Sequence, residues 1–126
     1  MLRKLFVSTA VSALLVGLVV LASAQDKGVS LTGHIVDKQC SSRVGKAADV
    51  TAAAAGHKKG CALSDGCAAS GYGVFADGKF YEFDAKGNEM AKAKLEASKK
   101  DAGAKFKVEG KLAENKLTVS SISELP

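Results

Sequence analysis

The chain has 126 residues and carries 18 Lys and Arg against 13 Asp and Glu, a formal net charge of +5. The lysines are scattered, and the short pairs Lys58-Lys59 and Lys99-Lys100 do not make a basic patch, so a nucleic-acid partner is excluded. With three cysteines, one proline and no tryptophan, the chain supports one small domain once its N-terminal segment is set aside.

That segment places Arg3 and Lys4 ahead of the uncharged run LFVSTAVSALLVGLVVL and then Ala22-Ser23-Ala24, the small-x-small pattern that signal peptidase reads. Residues 1–24 are expected to be a secretory signal peptide cut before Gln25, giving an exported protein, periplasmic or extracellular. An uncleaved anchor is the alternative for this run. No cysteine stands at the cleavage point for a lipid anchor, and no later run has membrane-spanning length, so no membrane contact is expected after cleavage. Residues 25–28, QDKG, read as a linker, and 29–126 as a single domain.

VSLTGHIVD, residues 29–37, alternates as a strand. Val29, Leu31, Gly33 and Ile35 take one face; Ser30, Thr32, His34 and Val36 take the other, where His34 is expected to be solvated. Gly33 in mid-strand signals a bulge or sharp bend. Residues 38–70 are small, polar and alanine-rich; Ala47 to Ala55 suit a short helix ended by Gly56. This insertion has little to bury, so a covalent or metal tie is expected to hold it.

GYGVFADGKFYEFD, residues 71–84, is a hairpin with a type I′ turn at Asp77-Gly78. The register pairs Phe75 with Phe80 and Val74 with Tyr81, and stacks Tyr72, Val74, Tyr81 and Phe83 on the core face. Packing, rather than a base-stacking platform, accounts for these aromatics. Residues 88–100 read as a helix capped by Asn88, with Met90, Ala91, Leu95 and Ala97 as its apolar stripe. Residues 106–122 read as a second hairpin whose phase slips at Ser120-Ser121, a bulge signal. Five strands with one helix between the third and fourth predict a mostly β, OB-like barrel bearing an insertion between strands one and two; a small α+β sandwich is the alternative.

The pieces LTGHIVDKQC, HKKGCALSDGC, ASGYGVFADGKFYEFDAKGNE and FKVEGKLAENKLTVSSI together resemble a loose group of small, signal-peptide-bearing bacterial proteins of uncharacterised function with an OB-like domain and a Cys/His-containing insertion. The resemblance implies secretion and a compact β-rich fold. It brings no activity with it.

The chemistry is concentrated in Cys40, His57, Cys61 and Cys67, all between strands one and two. Cys₃His is a tetrahedral set for zinc, and thiolate with imidazole also suits copper(I). His57 and Cys61, four apart, would share a face if they lay on one helical turn. A structural disulfide is the competing reading for an exported chain; three cysteines allow one bridge and leave a spare thiol. Thiol redox chemistry is the third, with C-x₅-C in place of the usual C-x₂-C. G-x-S-x-G, H-E-x-x-H and phosphate-loop patterns are missing, and Asp37, Asp65 and Glu82 read as solvated carboxylates. The expectation is a non-catalytic module whose partner is a metal ion (zinc or copper), another small ligand or a protein.

Overall fold

The computed structural model describes residues 27–126; the expected signal peptide and the first two linker residues lie outside them. The described residues form five strands and five helices, in the order β1 Lys27–Asp37, α1 Lys38–Gly45, α2 Val50–Ala55, α3 Lys59–Ala62, α4 Asp65–Ser70, β2 Tyr72–Ala76, β3 Lys79–Phe83, α5 Ala85–Ala97, β4 Phe106–Ala113 and β5 Lys116–Glu124. The fold is α+β, a five-stranded mixed sheet with helices. The strands close on one another in the order β1-β2-β3-β5-β4, antiparallel except for β3 against β5. Helical and strand residues are nearly equal in number, because the insertion folds into four short helices instead of one. Among the described residues no helix is long and apolar enough to cross a membrane.

β1 serves two neighbours. Residues 27–33 pair with β4 and residues 34–37 with β2, so the strand changes partner at Gly33. A Cβ at Gly33 would overlap the Phe75 carbonyl oxygen, which explains the glycine the alternation pointed to. Lys27 and Gly28, expected in a linker, already pair with Leu112 and Lys111. The β2–β3 hairpin has the expected register. Asp77 (φ 50°) and Gly78 (φ 78°) both take the left-handed conformation of a type I′ turn. At the second hairpin Glu109 faces Ser121 while Gly110 faces Val119, so Ser120 is the extra residue of the bulge.

The main core gathers Ile35, Tyr72, Val74, Phe83, Ala91, Leu95, Phe106, Val108, Leu117, Val119 and Ile122, with Tyr81 and Met90 against it. α5 starts three residues earlier than Asn88 because Asp84 caps it. Asp84 Oδ1 accepts from Gly87 N at 3.0 Å and from Val119 N at 3.1 Å, tying the helix to β5. Asn88 instead accepts from Tyr72 N at 2.8 Å. Ala97 is exposed, and Lys99 and Lys100 lie beyond the helix end.

The expectation for the outer face of β1 fails in an informative way. Residues 33–37 are all buried, without alternation, because the insertion covers their second face. Val36 and Phe75 pack there with Val44 of α1 and Ala54 of α2, while Cys40, Val50, Ala53 and Phe80 border the cluster. The insertion therefore has a small apolar core of its own. His34, expected in solvent, is buried, with Nδ1 at 3.0 Å from the Ala104 carbonyl.

Candidate metal centre

Asp37 ends β1 opposite Tyr72, the first residue of β2. The chain just outside that pair stays close. Lys38 N donates to Gly71 O at 2.8 Å, and Gln39 N to Ser70 Oγ at 3.0 Å, laying the start of α1 beside the end of α4. Cys40 is on the first turn of α1 and Cys67 is on α4. α3 brings the third cysteine. Tyr72 Oη donates to Ala62 O at 2.8 Å, and the Lys59 amide to Asp101 O at 2.7 Å, anchoring the short helix that carries Cys61.

The result is convergence. The sulfurs of Cys40, Cys61 and Cys67 all lie within 4.8 Å of one another. All three are free thiols, graded in exposure: Cys67 buried, Cys40 half-buried, Cys61 exposed. Asp37, Cys40 and His57 form a second group at the same spacing. The four residues expected as one cluster thus come together as two groups that share Cys40. His57 is also not on the helical turn of Cys61, since it precedes the N-cap of α3.

Asp37 is the residue that sequence reasoning missed. Expected as a solvated carboxylate, it is fully buried. Its Oδ2 accepts from Cys40 N at 2.9 Å, capping α1, and its Oδ1 is 2.6 Å from His57 Nε2. The side chain of His57 is itself 4 % exposed. Burial opposes ionisation of Asp37, but the bonds from the Cys40 amide and His57 outweigh it and hold the carboxyl below its ordinary range. The signal for it is Asp37 three residues before Cys40, the spacing of an N-cap bond, but the polar segment after β1 shows no apolar periodicity to mark a helix at Lys38. The other two carboxylates are peripheral: Asp65 is exposed, and Glu82 accepts from Lys38 Nζ at 2.7 Å.

The same carboxylate acts against Cys40. Burial and the neighbouring Asp37 charge push the Cys40 thiol up to about 12. Without a cation the group is a neutral thiol, the opposite of an activated nucleophile. A metal ion held there would supply the missing positive charge and favour the thiolate. The donor set suits such an ion. Three thiols give soft ligands, and sulfurs already within 4.8 Å need move by less than about 1 Å to meet Zn–S bonds of about 2.3 Å. A carboxylate holding a neighbouring imidazole is the usual support for a histidine at a metal. The Arg43 guanidinium, 3.8 Å from Cys40 Sγ, adds a positive group on the solvent side.

Comparison with known proteins finds no matching family model, no matching curated protein and no matching solved structure.

Proposed function

We propose that this chain is an exported, non-catalytic binding module that holds one soft metal ion, zinc or copper(I), on Cys40, Cys61 and Cys67. His57 supplies a fourth ligand where the ion is four-coordinate, and Asp37 orients it. The observation that carries this reading is that three thiols from three separate helices meet within 4.8 Å. Helices α1, α3 and α4 have no common apolar reason to aim their cysteines at one point, whereas a shared cation gives one. The ring order of the strands, with α5 between β3 and β4, supports an OB-like barrel as the frame. The insertion then sits on the connection between β1 and β2, on a face that such barrels use for ligands. The N-terminal pattern supports export, to the periplasm or beyond the cell.

The test is an anaerobic titration of the reduced protein with zinc and with copper(I), read by thiolate-to-metal absorbance and chelator competition. One equivalent is expected to bind, and Cys67→Ser is expected to weaken the complex at least about tenfold. A reduced protein that binds neither ion overturns the proposal, and formation of one disulfide with one spare thiol becomes the better account of the cluster.

A further inference from the structure

The three thiols are not equivalent toward solvent, and the exposed one opens into a defined groove. Cys61 lines a surface groove of about 350 Å³ together with Val44, Ala53, His57 and the exposed Arg43 and Lys58. That volume falls in the range of small-molecule sites, not of an extended protein interface. The groove's ionic lining is basic. Arg43 and Lys58 are its exposed charged side chains, and no carboxylate lines it. Arg43 reaches across to Cys40 Sγ, so one rim charge touches the cluster itself.

We infer that the groove receives the metal as a complex with a small anionic thiol bearing carboxylates, and that Cys61 is the entry ligand. This rests on the metal-binding reading above. The incoming complex places its carboxylates against Arg43 and Lys58 and its metal beside Cys61. Cys61 loses its proton to solvent and a metal–sulfur bond to Cys61 forms. The metal–sulfur bond to the carrier breaks, and the carrier departs as a thiolate that takes up one proton from solvent. No electron moves, and the metal keeps its oxidation state. Cys40 and then the buried Cys67 complete the transfer inward, with loss of their protons.

The experiment compares two copper(I) donors by stopped-flow: the glutathione complex, which is anionic, and the acetonitrile complex, which is not. The reduced protein is compared with the variant Lys58→Gln, at the groove and outside the cluster. For the native chain, loading from glutathione is expected to slow as salt is raised; the variant should be severalfold slower with that donor and show a weaker salt dependence. Loading from the acetonitrile complex, which is cationic, should not be slowed in the variant. Cys61→Ser should slow entry from glutathione further and still leave copper detectable on the two remaining thiols. Equal slowing with both donors, or no slowing with either, overturns the groove assignment and leaves the metal site standing. Failure of the native chain to load from either donor overturns the metal site, and the groove assignment with it.

Discussion

Asp37 is the residue on which the local structure turns. One buried carboxylate caps α1, holds His57 and faces the thiol of Cys40. Replacing it leaves the Cys40 amide and the His57 ring without their acceptor in a dry site, so Asp37→Ala should cost about 1–3 kcal/mol in the urea unfolding of the metal-free protein. It should also weaken metal binding by about 10- to 100-fold, as loss of a carboxylate behind a ligand does. The titration of the site has two signs. The Asp37 carboxyl is depressed below 3.8, so its contribution to stability is present above that pH and is lost as acid protonates it in the folded state. Cys40 is raised from 9.0 to about 12, so its contribution is complete below pH 9 and disappears as pH climbs toward 12. Metal-free protein should therefore lose stability between pH 9 and 12, and Cys40→Ala should flatten that limb in urea midpoints measured against pH.

At the scale of elements, β1 and the insertion depend on each other. Gly33 lets β1 pass from β4 to β2 with its backbone against the Phe75 carbonyl. Gly33→Ala forces a Cβ into backbone that cannot swing aside, and should cost about 1–3 kcal/mol by denaturant unfolding. A Gly78→Ala change at the exposed turn tests the turn conformation alone and should cost less, since its Cβ meets nothing within 4 Å. Much of this level was readable from the sequence. The β2–β3 register followed from Asp77-Gly78 and the paired aromatics, and the bulge at Ser120 from the slip in alternation before Ile122. What escaped reading depends on contacts distant in the chain. Val36 looks solvated until α1 and α2 are laid over it, and His34 until the segment before β4 brings it the Ala104 carbonyl. Asn88 looks like a cap until Asp84 is found bonded to both α5 and β5. The convergence of Cys40 with Cys67 was legible because both flank strands expected to be adjacent; the place of His57 beside Asp37 was not, because it requires knowing where α2 ends in space.

For the molecule as a whole, two apolar clusters share β1 and β2. The larger fills the closed sheet, and the smaller lies under the insertion with Cys40 at its margin. The larger cluster draws on every strand of the sheet, while the insertion has only the smaller cluster and, on the proposed reading, a metal tie. Chelation should therefore raise hydrogen exchange across residues 38–70 and leave β4 and β5 protected, as expected of a sub-global unit with fewer buried contacts. The central claim, one metal ion shared by Cys40, Cys61 and Cys67, is tested most directly by the intact mass of the purified protein. The mass is taken under native and then denaturing conditions, with thiol alkylation after each. The account predicts a native mass raised by one metal ion, thiols shielded from alkylation while the ion is bound, and three alkylated cysteines once it is removed. A metal-free mass two hydrogens light, with one alkylated cysteine after denaturation, would contradict it.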